Sequence, residues 1–191
     1  IAVTDMDYFE KVLKVADTYV AGRDPARCNW SWGEALLMYA LGLLDDALGE
    51  ERYRHFYQAW ADHHHDAGSV VDQSDSCAPV LVTNELFKKT GDGKYLEMTR
   101  AGIHYLKHEP RLVGDLINHN GHSRDSKDYP KSIWVDSMMM SGVFGAIASI
   151  DFDDAELRDF ALKQPRQFAK YLQDPESKLF HHSWWKILGR P

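Results

Sequence analysis

The sequence predicts an all-α fold built of stacked helical hairpins, on three observations. Apolar residues recur at helical spacing almost throughout, as in "YFEKVLKVADTYVAG" and "LRDFALKQPRQFAKYL". No segment shows the convincing alternation of a half-buried strand. The third observation is a repeat: "GEALLMYALGLLDDALGEERYRHFYQAW", "APVLVTNELFKKTGDGKYLEMTRAGIHYL" and "SMMMSGVFGAIASIDFDDAELRDFALKQ" each read as an apolar helix, an acidic turn and a charged amphipathic helix. Tyr53 and Tyr95 stand in equivalent places 42 residues apart. A period above forty with two helices per unit means stacked αα-hairpins, with the apolar helix of each pair inside.

The elements follow in order. Residues 5–21 form a first amphipathic helix, and 31–46, opened by "NWSW", the first apolar one. Residues 50–65 are its charged partner. The second pair is 76–90 and 93–108, and the third is 134–149 and 153–173. The turns "GEER", "GDGK" and "DFDDAE" put carboxylates at helix N-termini, where the macrodipole favours them, so these acids read as caps. Between the second and third pairs lie about twenty extra residues, "LVGDLINHNGHSRDSKDYPK", and long loops inside compact repeats are often functional.

Composition narrows the function. A chain of 191 residues supports one good core and reads as a single domain. A net charge of −7 without a Lys/Arg cluster argues against a nucleic-acid or anionic-membrane partner. Nor does any apolar run approach the roughly 18 to 20 residues of a membrane span. Cys28 and Cys77 are too few for a disulfide framework and read as buried thiols. The compartment stays open between cytoplasm and periplasm, since the chain begins at Ile1.

Three stretches carry candidate chemistry. In "KSIWVDSMMMSGVFGAIAS", Asp136 sits in an apolar run, in the first turn of a helix starting near Trp134 that Ser132 could already cap. At the mouth of an inner helix, among Trp134 and methionines, desolvation would keep such a carboxyl protonated. "VVDQSDSCAPVL" offers Asp75 or Asp72 at the entrance of the neighbouring inner helix, so two carboxylates can face each other, as glycoside chemistry needs. The bland reading of each is an N-cap. The tryptophans of "NWSWGEALL" and "HHSWW" suit the apolar faces of sugar rings, although buried packing is the commoner use of Trp. "DHHHD" lacks metal-ligand spacing, and no phosphate loop, dinucleotide fingerprint or serine-hydrolase elbow is present, so no metal or cofactor is expected.

"NWSWGEALLMYAL", "DSCAPVLVTNELFKKTGDGKYL", "IWVDSMMM" and "DPESKLFHHSWW" together resemble, in order and spacing, the unsaturated rhamnogalacturonyl and glucuronyl hydrolases. That resemblance implies an (α/α)6 toroid of which this chain is the N-terminal part, with an Arg-Gly-Asn-Gly-Trp segment further on. It implies an oligosaccharide substrate ending in a lyase-made uronic acid with a C4=C5 double bond, protonated at C4 and hydrated at C5. Asp136 matches the family's acid/base, and Asp75, three residues from Asp72, its second carboxylate. His122 and His182 match its substrate-contacting histidines, and Trp32 and Trp134 its walls. Two rivals stand beside this reading: a saturated-substrate glycosidase on the same fold, and a helical-repeat binding module without chemistry.

Overall fold

The computed structural model describes residues 5–191. Its helices are α1 (Asp5–Ala21), α2 (Trp32–Leu48), α3 (Arg54–Asp66), α4 (Ser74–Cys77), α5 (Val80–Thr90), α6 (Gly93–His108), α7 (Phe144–Asp151) and α8 (Ala155–Leu172). The three hairpins are α2/α3, α4–α5/α6 and α7/α8, with α1 preceding them. As the apolar patterns require, α5 is buried at every residue from Val80 to Asn84 and at Leu86, whereas α3, α6 and α8 bury one stripe each. Gly102 sets one of the close approaches. A Cβ there would lie 2.7 Å from Val80 and 3.0 Å from Phe144, so only hydrogen lets α6 settle onto α5 and α7.

The repeat is visible in hydrogen bonds. Tyr53, just before α3, donates its buried hydroxyl to Asp17 on α1, and Tyr95 on α6 donates to Asp62 on α3. Each charged helix is thus tied to the charged helix before it. Two acidic turns cap as expected: Asp92 accepts from the Lys94 N–H, and Asp154 from those of Glu156 and Leu157. In the first turn the work passes to Asp45, buried on α2, which accepts the Tyr53 N–H at 2.9 Å.

Short strands depart from the purely helical expectation. β1 (Arg111–Val113) pairs antiparallel with β2 (Leu116–Ile117), and β3 (Ser132–Trp134) with β4 (Ser183–Trp185). Two or three residues are too few to display a period of two, and β3 meets β4 some fifty residues later in the chain, so no local pattern marks either. The consequence falls on the third apolar helix. It does not begin at Trp134, which is a strand residue, but at a π-helical stretch, Met138–Val143, that runs into α7. Ser132 is therefore no helix cap; its carbonyl and N–H hold the preceding loop.

Candidate active site

The loop 118–131 is clamped between α4 and β3. The Ser74 N–H donates to the His119 carbonyl at 2.9 Å, the His119 N–H to Ser132 at 2.8 Å, and the His122 N–H to Asp72 at 3.0 Å. Gly121 makes the sharpest turn, at φ +47°, where a Cβ would meet the Asp72 carbonyl at 2.1 Å. These bonds press the buried His119 ring flat against Trp134, with centroids 4.1 Å apart and planes 5° from parallel.

Around that ring the carboxylates converge. His119 Nε2 lies 3.7 Å from Asp75, and its Nδ1 lies 3.9 Å from Asp136 and 3.0 Å from the Ser137 hydroxyl. Asp75 comes from α4 and Asp136 from the turn between β3 and the π-helix, so two neighbouring hairpins contribute one acid each. Asp75, His119 and Trp134, with Asp125 and Tyr129 from the loop, line a cleft of about 200 Å³. The Asp136 Oδ1 is buried without a hydrogen-bond partner among the described residues, an arrangement that costs free energy until a ligand group meets it.

Burial is the largest cause of both pKa shifts here. It raises the Asp75 carboxyl from 3.8 to about 6, reinforced by the charges of Asp136 and Asp125. It lowers the His119 imidazole to about 4, with Asp136 opposing and His182 adding to the effect. A neutral ring carries a single N–H, so near neutral pH His119 can donate to only one partner at a time.

Residues 8–187 match the family model described as Glycosyl Hydrolase Family 88. The chain belongs to that family. It is 25% identical over 176 residues to the unsaturated rhamnogalacturonyl hydrolase YesR of Bacillus subtilis, covering 92% of this chain and 51% of that protein. The chain thus spans about half the length of this curated relative. A family 105 glycoside hydrolase from C. acetobutylicum superposes with a TM-score of 0.77 at 21% identity, over 90% of this chain and 48% of that one. A possible family 105 member from Klebsiella pneumoniae gives 0.76 at 21%, over 85% and 42%. These likenesses make the hairpins an arc of the (α/α)6 toroid expected from the sequence.

Within this family 88 chain the residues singled out from sequence fall into two groups. Asp75, Asp136 and Trp134 come together, and His182 packs against Trp134 with centroids 4.9 Å apart. Asp72 does not join them: its carboxylate accepts from Ser76 and closes the first turn of α4. His122 faces away, bonded at 2.6 Å to Glu109. Trp32, about half exposed, opens α2 without lining the cleft. The histidine in the cleft is His119, which sequence reasoning missed. "INHNGHS" holds two histidines three apart, and only the turn at Gly121 decides which one faces inward.

His64, Trp30 and Trp60 are structural. His64 bonds the Cys28 carbonyl and Ser69 and packs on Trp30 and Trp60. Among the described residues no group of three or more His, Cys, Asp or Glu is placed to hold a metal ion, and no helix is long and apolar enough to cross a membrane. A larger groove of about 570 Å³ runs along α1 beside Val15 and Tyr19, but its walls are apolar or basic and it brings no acid pair together. Chemistry, not size, selects the smaller cleft.

Proposed function

We propose that residues 1–191 form the N-terminal part of a catalytic domain that hydrolyses oligosaccharides ending in a C4=C5-unsaturated uronic acid. The observation that carries this is the convergence of Asp75 and Asp136 on His119, which with Asp75 and Trp134 lines one cleft. The Bacillus subtilis relative, an unsaturated rhamnogalacturonyl hydrolase, supports it.

In this reading Asp136 delivers a proton to C4 of the enol ether, leaving positive charge shared by C5 and the ring oxygen. Water then adds at C5 and returns a proton to the Asp136 carboxylate, so the acid is regenerated. The C5 hemiketal opens to a ketone. That leaves a hemiacetal at C1, which expels the neighbouring sugar as an alcohol and becomes an aldehyde, for a net uptake of one water. Asp75 keeps its own proton up to about pH 6, so its charge does not repel the substrate carboxylate there. His119 orients the pair, and Trp134 with His182 supplies the aromatic wall.

The test is to incubate the protein in its longest form with lyase-generated unsaturated disaccharides and follow the ultraviolet absorbance of the conjugated uronate, beside saturated controls. Decay confined to the unsaturated sugars is expected. Cleavage of the saturated controls would transfer the site to an ordinary glycosidase, and no turnover of either would sink the catalytic reading.

A further inference from the structure

A neutral imidazole has one proton to place, and His119 has three polar neighbours competing for it. The Ser137 hydroxyl lies 3.0 Å from Nδ1, Asp136 Oδ1 lies 3.9 Å from the same nitrogen, and Asp75 Oδ1 lies 3.7 Å from Nε2. Only the first is a hydrogen-bond distance. The ring is not free to seek another partner, since it is buried and lies flat on Trp134. Ser137 is held as firmly: it heads the π-helical stretch, and the Ser141 hydroxyl donates to its carbonyl at 2.6 Å. Short π-helical turns of this kind are frequent at functional sites.

Where the proton goes follows from counting donors. Ser137 is 4% exposed, and Nδ1 is the sole hydrogen-bond partner of its hydroxyl among the described residues. A protonated Nδ1 would donate to the hydroxyl oxygen and leave the buried O–H without an acceptor, which costs free energy. With Nδ1 bare, the hydroxyl donates to it and the ring proton sits on Nε2, facing Asp75. Asp75 calls for the same arrangement, because once ionised, above about pH 6, it accepts hydrogen bonds but has no proton to give. Asp136 then receives nothing from His119, in keeping with a buried Oδ1 that has no partner among the described residues. A hydrogen bond to a carboxylate favours the ionised form, so an N–H aimed at Asp136 would oppose its holding the proton it has to deliver.

We propose that Ser137 is a positioning residue: its hydroxyl holds His119 as the Nε2–H tautomer, turning the ring's only proton toward Asp75 and away from Asp136. The tautomer is a property of the folded chain, while its catalytic consequence rests on the reading of Asp136 as the acid. Nitrogen NMR of protein labelled with 15N-histidine, recorded at pH 8, reads the tautomer directly, because protonated and bare ring nitrogens resonate far apart. Contacts with the Trp134 ring protons assign the His119 signals. The unaltered protein should show a protonated Nε2 and a bare Nδ1. S137A should shift the proton toward Nδ1, so that the two signals approach each other or exchange places, and S137T, which keeps the hydroxyl, should retain the parent pattern. In steady-state assays S137A should lower kcat for unsaturated disaccharides about tenfold with little change in KM, and S137T should recover it. The proposal is overturned if the unaltered protein carries the proton on Nδ1 or divides it between the nitrogens, or if S137A leaves the spectrum or kcat as it was. The first of these measurements needs no variant, so it decides the matter even if S137A does not fold. Should the unsaturated-sugar assay show no turnover while the tautomer is as expected, the reaction fails and the tautomer held by Ser137 stands.

Discussion

Replacing Asp75 by Asn separates a strained catalytic carboxyl from an ordinary helix cap. In the folded chain the Asp75 carboxyl sits at about 6 against an ordinary 3.8. A group raised in this way contributes stability fully below its unfolded value, and that contribution is lost as pH rises through about 6. The full difference corresponds to about 3 kcal/mol at 1.36 kcal/mol per pH unit. Since 26% of the side chain meets solvent, screening reduces this, and we expect about 1–2 kcal/mol. The neutral amide bears no such cost, so D75N should melt about 2–8 °C above the unaltered protein at pH 8 and lose that advantage near pH 3.5. His119 also titrates, losing stability as pH falls toward 4, but Asp75 is not among the causes of its shift, so the difference between the two proteins isolates Asp75. Thermal melts from pH 3.5 to 8 provide the assay. A variant that melts lower at every pH would show that the Asp75 charge stabilises the first turn of α4, and the strained-carboxyl argument would fail.

Asp136→Asn should cut turnover of unsaturated disaccharides by roughly 10²–10⁴-fold with little change in melting, because the carboxylate caps nothing and its Oδ1 lacks a partner. Steady-state rates beside a melting curve check both halves. Gly121→Ala should cost more than 1 kcal/mol and impair the cleft, since its φ is positive and a Cβ would strike the Asp72 carbonyl; the same change at Gly33, where nothing lies within 4 Å, is the control. Tyr53→Phe and Tyr95→Phe should each lower stability by about 1 kcal/mol in denaturant titrations, equal within error if the two hydroxyls do equivalent work in the repeat. His122→Ala should leave the kcat of the disaccharide unchanged, since His122 bonds Glu109 away from the cleft.

Helices with their own signal were legible in the sequence: 5–21 and 93–108 coincide with α1 and α6, because apolar stripe and flanking turn agree. The acids were legible as candidates only in part: Asp136 stands alone in an apolar run, whereas in "VVDQSDSCAPVL" the sequence left Asp72 open beside Asp75. The illegible part was non-local. Trp134 looked helical because "IWVDSMMM" is apolar apart from Asp136 and Ser137, yet β4, some fifty residues on, recruits it into a strand and moves the helix start to Met138. His119 was hidden for a related reason: its place depends on bonds to Ser74 and Ser132, neither near it in sequence. Local periodicity records burial, not partners across the chain.

In the proposed reading a chain of net charge −7 takes an anionic sugar, and the environment of the two acids eases the electrostatic conflict this creates. Two ionised carboxylates at the cleft would repel a substrate uronate. Burial removes that repulsion at Asp75 up to about pH 6 instead of adding a cation beside it, and the same burial makes the His119 imidazole a weak base, a poor competitor for the proton that the proposed reaction delivers. In the proposed reaction the substrate uronate therefore meets a neutral Asp75 below about pH 6 and an ionised one above it. KM for the unsaturated disaccharide should rise as pH passes upward through about 6, and Asp75→Asn, which cannot ionise, should remove that rise. If the variant kept the same pH dependence of KM, the repulsion would arise elsewhere and the electrostatic role of Asp75 would fall.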